Sequence, residues 1–501
     1  MTLLTMFRDQ VAQAGDRTAL ICRDRRLTYA ELADAAARTA ALLIRAGVRA
    51  SDRVVLIAPN LPEFGIGYLG ILAAGATVVP LNPLLKADEL TYVLEDSSAR
   101  AVVCLDLSLP MLSAVRQDRP VPLVVLNAPF AGTVAGDASL VFPPPDPMQV
   151  ADVEGAAEDV AVCLYTSGTT GRPKGALLTH GNLLANLQSF RQVLDVSRID
   201  VFLAVLPLFH AYGGTVLFLM PLSLGASIVL EPRFSPDGVL QAIAQHRCTF
   251  FAGVPSMFGL MAAQPRPPFD FSAWRFCVSG GAPLPVSILE AFEARLGIPI
   301  YEGYGPTECA PVLTVNPPDG VRKVGSVGPP IPHVELRIVD DHDQPLPAGA
   351  VGEIVARGPN VMLGYLNRPA ETAEALRGGW YHTGDLGCVD ADGYCTIVER
   401  KKDLILVGAL NVYPSEVELV LSSHPAVREA AIIGVPNTAR GEVPKAFIIL
   451  REGAEATPAE LVRWCRGRLA NYKVPRSVVI VPDLPRTATG KVHKPTLRAM
   501  S

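Results

Sequence analysis

The chain has no sequence feature typical of a disulfide-rich, disordered or secreted protein. Its nine cysteines form no CxxC pair and show no even spacing, which argues against a disulfide framework and against a cysteine metal cluster. It has no low-complexity tract, and 49% hydrophobic with 19% charged residues is typical of a globular chain. The opening "MTLLTMFRDQ" lacks the basic start and apolar run of a secretion signal. We therefore expect a cytoplasmic protein.

Residues 64–81 are uncharged and apolar, but the stretch is broken by glycine and proline. A membrane-spanning helix needs about 20 consecutive apolar residues. The interruptions instead favour a buried helix that leads into a buried strand. The sequence thus predicts no integral membrane segment.

The length of the chain and the distribution of its charge both indicate more than one domain. Since single cores rarely grow beyond about 250–300 residues, a chain of 501 residues is expected to form several domains. The net charge of −5 is divided into −12 for residues 1–399 and +7 for residues 400–501. The basic residues of the second part are dispersed between apolar ones, and aromatic residues make up only 6% of the chain. This pattern favours small phosphorylated ligands over nucleic acid.

Helical and β-rich stretches alternate through the first 300 residues. Thr28 and Glu31 form a predicted capping box before a helix that should stop at Gly47, and "RVVLIAP" follows as a strand. Buried strands separated by helices are typical of doubly wound parallel sheets, with ligands at the carboxyl ends of the strands.

The later parts follow other patterns. The proline-rich and acidic residues 141–159 predict a surface connector, and residues 321–399 predict a small β-subdomain. Residues 400–501 predict a further α/β unit. Its helices are expected to begin at two capping boxes, Ser415 with Glu418 and Thr457 with Glu460.

The stretch "YTSGTTGRPKG", residues 165–175, combines glycines, hydroxyl groups and Lys174 directly after a predicted strand. Such a loop lets backbone N–H groups approach a phosphate closely, so polyphosphate is the expected ligand. A P-loop requires Gly-Lys-Ser/Thr at the start of a helix, whereas here Pro173 precedes the lysine and Gly175 follows it. The loop is therefore predicted to be a mobile flap.

With six further motifs in order, this loop makes the chain resemble the adenylate-forming superfamily of acyl-CoA synthetases, peptide-synthetase adenylation domains and luciferases. The resemblance covers essentially the whole chain. The other motifs are "LPLFHAYG" (206–213), "SGGAPL" (279–284), "YEGYGPTE" (301–308), "YHTGD" (381–385), "ERKKDLI" (399–405) and "PRTATGK" (485–491).

The resemblance implies an α/β fold in which a large amino-terminal domain, residues 1–399, contains two doubly wound subdomains and a small β-subdomain. A small mobile α/β domain, residues 400–501, would follow. It would rotate about a hinge at Lys402 between two half-reactions, with residues 406–414 helping to form the thiol tunnel. In the first step a carboxylate attacks the α-phosphate of ATP to give acyl-AMP and pyrophosphate. In the second step coenzyme A takes the acyl group and AMP leaves.

The resemblance also implies residue roles. Lys491 would bridge the carboxylate and the α-phosphate, Thr307 would donate to that phosphate, and Glu308 would bind Mg²⁺ with help from Thr166. Asp385 and Arg400 would bind the ribose, and Tyr304 would stack on adenine opposite Gly281, Ala282 and Pro283. The remaining expected nucleotide-binding residues are Ser167, Gly168, Thr169, Thr170, Lys174, Glu302 and Gly303.

The acid is less well defined by the sequence. Between Leu203 and Leu230 only His210 could carry charge, so this stretch is either the wall of an apolar acyl pocket or a core helix. His210 matches the family's gate between acyl pocket and thiol tunnel. Since "FHAY" has no aspartate to pair with an amine, amino acids are disfavoured. We expect a medium- or long-chain fatty acid with coenzyme A. Two alternatives stay open: an aryl-CoA ligase for benzoate- or cinnamate-like acids, and a non-catalytic nucleotide-binding protein. The protein is expected to be a monomer or a homodimer.

Overall fold

A computed structural model describes residues 1–115, 121–126, 140–141, 155–166, 173–265, 268–408, 410–438, 440–486 and 492–500. They form two compact units. The first contains Met1–Glu335 and Ala356–Tyr381, and the second contains Leu336–Val355 and His382–Ser501. The domain boundary after residue 399 and the hinge at Lys402 stay predictions.

Helices and strands alternate along most of the chain. The α-helices are α1 (Leu3–Ala14), α2 (Tyr29–Arg45), α3 (Pro62–Ala73), α4 (Ala87–Asp96), α5 (Leu109–Val115), α6 (His180–Leu194), α7 (Met220–Leu224), α8 (Pro236–Gln245), α9 (Pro255–Ala262), α10 (Val286–Leu296), α11 (Pro369–Ala375), α12 (Pro414–Ser422), α13 (Pro458–Arg466) and α14 (Lys494–Ala499). Short 3-10 turns cover Asp106–Ser108, Thr307–Cys309, Arg377–Gly379 and Lys401–Asp403, and a π-helix covers Gly213–Leu219.

The strands of the first unit's two sheets are β1 (Thr18–Cys22), β2 (Arg25–Thr28), β3 (Arg53–Ile57), β4 (Thr77–Leu81), β5 (Ala101–Leu105), β6 (Leu123–Leu126), β7 (Leu140–Val141), β8 (Val160–Thr166), β9 (Lys174–Thr179), β10 (Val201–Ala204), β11 (Ser227–Leu230), β12 (Phe250–Gly253), β13 (Phe276–Ser279), β14 (Ile300–Tyr304), β15 (Thr314–Val315) and β18 (Gly364–Tyr365). The other strands are β16 (Glu335–Val339), β17 (Gly352–Arg357), β19 (Tyr381–Val389), β20 (Cys395–Arg400), β21 (Ile405–Val407), β22 (Leu410–Val412), β23 (Val427–Asn437), β24 (Gly441–Leu450) and β25 (Ser477–Ile480).

The first unit, over its described residues, has two eight-stranded sheets. Their orders are β15-β14-β13-β12-β10-β11-β1-β2 and β18-β9-β8-β4-β3-β5-β6-β7. The pairs from β14 through β12, β10 and β11 to β1 are parallel, and so are those from β8 through β4, β3, β5 and β6 to β7. Antiparallel strands occupy both edges of the first sheet and one edge of the second. The predicted doubly wound architecture is confirmed.

Helix α3 is packed between these sheets, and all of its residues are buried. Glycine makes the close fit possible. A Cβ at Gly65 would lie 3.1 Å from Leu20 of one sheet, and a Cβ at Gly67 would lie 2.7 Å from Leu56 of the other. The apolar run is thus a core helix followed by strand β4, as predicted. Across the described residues, no helix has the length and apolar character needed to cross a membrane.

The second unit contains most of a four-stranded sheet, β16-β17-β19-β20, and a further sheet of order β22-β21-β24-β23 with β25 paired to β24. Its helices show both the success and the failure of the capping predictions. Thr457 and Glu460 form the predicted box at α13, as Thr28 and Glu31 do at α2. The box at Ser415 and Glu418 is wrong, because α12 already begins at Pro414 and its N-cap is the residue before that proline.

The side chains of that incorrect box serve tertiary contacts instead. Ser415 Oγ donates to the carbonyl of Val398 at 2.8 Å. Glu418 Oε1 accepts a hydrogen bond from the N–H of Ile432 at 2.8 Å and pairs with Lys494. Proline suits the first position of a helix because its missing N–H has no partner there, so it fixes the start one residue before the serine.

Candidate active site

Two of the predicted motif segments leave neighbouring parallel strands at the same sheet edge. Strand β13 ends at Ser279 and leads into the glycine loop, while β14 ends at Tyr304 and leads into the turn Thr307–Cys309. Because carboxyl ends of parallel strands meet at one edge, the fold brings these segments together. The loop needs its glycines: Gly281 has φ +81°, and a Cβ at Gly280 would lie 3.2 Å from the ring of Tyr212.

Glu302 ties the two segments to each other. One oxygen of its buried carboxyl group accepts a hydrogen bond from the N–H of Leu284 at 2.9 Å, at the end of the glycine loop. Burial raises the pKa of Glu302 to about 7, because the charged form loses hydration that one backbone donor only partly replaces. Glu302 therefore holds the loop that the sequence assigns to the adenine, and its protonation changes near neutral pH.

This pKa predicts a pH-dependent stability. The folded protein binds the Glu302 proton more tightly than the unfolded chain, whose carboxyl group has a pKa near 4.5. The free energy of unfolding should therefore fall by about 3 kcal/mol from this group as pH rises from 4.5 to beyond 7. Glu302→Gln keeps the acceptor but cannot ionise. Denaturant unfolding at pH 5 and pH 8 should show a smaller loss for this variant than for the wild type.

The control for that experiment is Glu290→Gln, which changes an exposed glutamate of helix α10. Its unfolding free energy should follow the wild-type pH profile. A Glu302→Gln profile that coincided with both would show that the Glu302 carboxyl group stays ionised in the folded protein at pH 5.

Glu308 is a buried carboxylate in the turn that follows β14. Its Oε1 accepts a hydrogen bond of 2.8 Å from the hydroxyl of Tyr365, and its backbone carbonyl accepts one from Met362 at 2.8 Å. Burial, and then the charge of Glu308, raise the pKa of Tyr365, so this hydroxyl keeps its proton and remains the donor. The carboxylate is thus fixed in direction as well as in position.

The segment after Glu308 is held by two amide side chains. Asn186 of α6 donates to the carbonyl of Val312 at 2.7 Å, and Asn360 donates to that of Cys309 at 2.8 Å. Both amide groups lie in the protein interior. The turn that carries Glu308 is therefore anchored on its far side by neutral, fully directional bonds.

The donor set suits Mg²⁺. This ion prefers oxygen ligands and usually takes one or two carboxylates together with phosphate oxygens and water. Glu308 offers one oriented carboxylate, and Thr166 offers a hydroxyl group. Over the described residues, no group of three or more His, Cys, Asp and Glu side chains could form a complete protein cage. A single carboxylate would leave the other positions around such an ion to phosphate oxygens and water.

The two stems of the hydroxyl-rich loop are described, while Ser167, Gly168, Thr169 and Thr170 lie outside the described residues. Strands β8 and β9 are antiparallel, and Thr166 pairs with Lys174. Tyr165 donates to Asp96 at 2.8 Å, and the hydroxyl of Tyr92 donates to the carbonyl of Pro173 at 2.8 Å. Helix α4 therefore binds both stems, one through Asp96 and the other through Tyr92.

Asp96 is the centre of that attachment. Its nearly buried carboxylate also pairs with Arg368 at 2.8 Å, and the same guanidinium donates to Tyr92 at 3.3 Å. Lys174 lies over the ring of Tyr365, with its Nζ 5.3 Å from the ring centroid. The stems are thus bound to the segment that also orients Glu308.

In the second unit, Asp385 and Arg400 are opposite each other on β19 and β20, with Arg400 Nε 3.4 Å from Asp385 Oδ1. The structure therefore brings together the two residues that the sequence assigns to one ribose. Lys402 lies in the 3-10 turn after β20, and burial, followed by the charge of Arg400, lowers its pKa to about 8. Lys491 lies outside the described residues.

His210 lies at the start of the apolar stretch, and its Nδ1 accepts a hydrogen bond from the N–H of Tyr212 at 3.3 Å. The π-helix that follows packs Val216, Leu217 and Phe218 into the core of the first unit. Core packing accounts for the apolar character of these residues. The choice between pocket wall and core helix is thus settled for these three in favour of the core.

Sequence reasoning did not find the residues that support the site. The motifs do not contain Tyr92, Asp96, Asn186, Tyr365 or Arg368. Tyr92, Asp96 and Tyr365 contact motif residues up to 81 positions away. Arg368 pairs with Asp96, and Asn186 binds the segment after Glu308. Their local sequence gave no signal of these contacts. These contacts depend on the tertiary structure, which places the strands and helices side by side.

The matches to known proteins agree with this geometry. Residues 7–366 match the model of the AMP-binding enzyme family, and residues 416–491 match that of the AMP-binding enzyme C-terminal domain. The long-chain-fatty-acid–CoA ligase of Bacillus subtilis (strain 168) is 36% identical over 529 residues, covering 98% of this chain and 93% of that protein. The feruloyl-CoA synthase of an Amycolatopsis species is 40% identical over 474 residues, covering 94% and 93%. The structure of ATP-bound MatB from Rhodopseudomonas palustris has a TM-score of 0.90 and 33% identity, covering 100% and 99%.

The chain therefore belongs to the AMP-binding enzyme family, whose members form acyl adenylates. The predicted fold class is confirmed by the full-length structural match. Within the family the chain is an AMP-forming acid–thiol ligase, with a carboxylic acid, ATP and coenzyme A as substrates and the Mg²⁺ usual for the family.

Proposed function

We propose that this ligase activates an apolar carboxylic acid, a medium- or long-chain fatty acid, and transfers it to coenzyme A. The observation that carries the proposal is the segment at residues 206–213, "LPLFHAYG", which offers no carboxylate to pair with a charged substrate group. The 36% identity to a long-chain-fatty-acid–CoA ligase supports the same choice.

A set of residue roles belongs to this proposal. Glu308 and Thr166 would hold Mg²⁺, which would supply positive charge beside the phosphates. Lys491, Thr307 and Lys174 supply further charge and donors to the phosphates, because two anions meet in this step. His210 separates the acyl pocket from the thiol tunnel. The nucleoside is held by Tyr304, Glu302, Gly303, Gly281, Ala282, Pro283, Asp385 and Arg400, and the loop residues Ser167, Gly168, Thr169 and Thr170 cover the phosphates.

The test is a panel of acids with purified enzyme, ATP and Mg²⁺, with and without coenzyme A. It contains fatty acids of graded length, ferulate and benzoate. Since each buried methylene is worth about 0.8 kcal/mol, kcat/KM should rise about tenfold for every two methylenes until the pocket is filled. AMP and acyl-CoA should appear together only with both acid and thiol present.

The runner-up is an aryl-acid CoA ligase, which the 40% identity to a feruloyl-CoA synthase favours. In the same panel this alternative gives its highest kcat/KM with ferulate or benzoate, and no gain along the fatty acid series. That result would replace the proposed substrate class while leaving the ligase chemistry unchanged.

A further inference from the structure

Tyr365 lies between two groups to which the proposed function gives separate roles. Its hydroxyl donates to Glu308 Oε1 at 2.8 Å, and its ring face lies 5.3 Å from Lys174 Nζ. One side chain thus touches both the carboxylate proposed for Mg²⁺ and the lysine proposed for the phosphates.

The backbone of Tyr365 is tied to the strand that carries Lys174. In the β18–β9 pair Tyr365 is opposite Ala176, and the N–H of Leu366 donates to the carbonyl of Gly175 at 2.8 Å. The N–H of Tyr365 itself donates to Thr372 Oγ1 at 2.9 Å. With its main chain fixed on both sides, the ring has a defined place from which to orient its neighbours.

The two contacts differ in chemistry, so they can be separated. The hydroxyl gives a directional hydrogen bond to a carboxylate, and such bonds to charged groups are stronger than neutral ones. The ring face attracts an ammonium group through the aromatic quadrupole, and this attraction does not need the hydroxyl. Phenylalanine would keep the second contact and lose the first, and leucine would lose both.

We propose that Tyr365 is a positioning residue that aims the Glu308 carboxylate at Mg²⁺ and keeps the Lys174 ammonium beside it. The inference rests on the proposed roles of Glu308 and Lys174. Partners that orient a metal-binding carboxylate typically change metal affinity by about 10- to 100-fold when removed, although they never touch the metal. Tyr365 should therefore control Mg²⁺ use without contact with the reacting atoms.

The experiment compares Tyr365→Phe and Tyr365→Leu with the wild type and with Tyr29→Phe. Tyr29 is a matched control, because its buried hydroxyl donates to the carbonyl of Ala226 in the core of the same unit. Mn²⁺ binding in the presence of ATP, without acid, is measured by electron paramagnetic resonance. Mg²⁺ half-saturation and the KM for ATP are measured for adenylate formation, and thermal unfolding checks the fold.

The expected results separate the two contacts. Tyr365→Phe should weaken Mn²⁺ affinity and raise the Mg²⁺ half-saturation by about tenfold, with a smaller change in kcat at saturating Mg²⁺. Tyr365→Leu should in addition raise the KM for ATP about threefold, because the support for Lys174 is lost. Tyr29→Phe should lower thermal stability and leave Mn²⁺ affinity at the wild-type value.

Other outcomes overturn the inference in recognisable ways. Wild-type Mn²⁺ affinity in Tyr365→Phe would overturn it while the ligase activity stands, and so would an equal loss in Tyr29→Phe. Absence of ATP-dependent Mn²⁺ binding in the wild type would also overturn it. If no acid is converted by the wild type, the proposed substrate class fails, yet the Mn²⁺ titration still decides the role of Tyr365.

Discussion

Replacing Lys491 with alanine is expected to slow acyl-adenylate formation by about 10²- to 10³-fold, the loss typical when one preorganised group that stabilises transition-state charge is removed. The first half-reaction joins a carboxylate to a triphosphate, so it needs this cation more than the second step does. Thioester formation from supplied acyl-AMP and coenzyme A should therefore stay near the wild-type rate. Pyrophosphate exchange measures the first step, and acyl-CoA production from acyl-AMP measures the second.

The structure around this position supports a local rather than a global effect. Arg486 and Val492, the described residues on either side of Lys491, form an antiparallel bridge, and the N–H of His493 donates to the carbonyl of Pro485 at 2.7 Å. Arg466→Ala is the control, because it removes one positive charge from an exposed position of α13. Equal losses in both half-reactions of Lys491→Ala would contradict the assigned role.

The second large effect is expected for Lys402→Pro, which should spare adenylate formation and suppress thioester formation by at least about tenfold. Lys402 lies in the 3-10 turn Lys401–Asp403. A 3-10 helix typically has φ of about −50° to −70°, a range that includes the value of about −65° fixed by proline, so this conformation can accept the ring. A hinge that must change its backbone dihedrals between the two steps would be locked by it. The same two assays measure this separation.

Lys402→Ala is the control for that substitution. It removes the same ammonium group but leaves the backbone free to rotate. Both half-reactions should therefore proceed in Lys402→Ala at similar relative rates. Parallel loss of both steps in the proline variant, or loss of thioester formation in the alanine variant, would contradict a hinge at this position.

Local chemistry predicted well where it acts within a few residues. The capping box of Thr28 and Glu31 needs only a serine or threonine and an acid three positions later, and the helix it predicts is present. The capping box predicted at Ser415 satisfied the same rule but is wrong. Helix α12 begins at Pro414, and the Ser415 hydroxyl donates to the carbonyl of Val398 instead. Tertiary partners can thus redirect side chains that a local rule assigns to a cap.

The site shows the same division. Glu308, Thr166 and Lys174 could be proposed from the sequence because they lie in contiguous motifs. Tyr365 could not, since its contact with Glu308 spans 57 positions and depends on how β18 joins the sheet. The resemblance predicted the reaction and the motif residues along the chain. The residues that orient those motif side chains are identified only by the tertiary packing.

The distribution of cysteines has a consequence for an enzyme whose co-substrate is itself a thiol. None of the nine forms a disulfide bond, and eight are buried. Burial raises the pKa of Cys163 and Cys395 to about 12 and that of Cys465 to about 11, so these sulfurs stay in the unreactive protonated form. Cys388, the one partly accessible residue, is therefore where mixed disulfides with oxidised coenzyme A and alkylation by maleimides would begin.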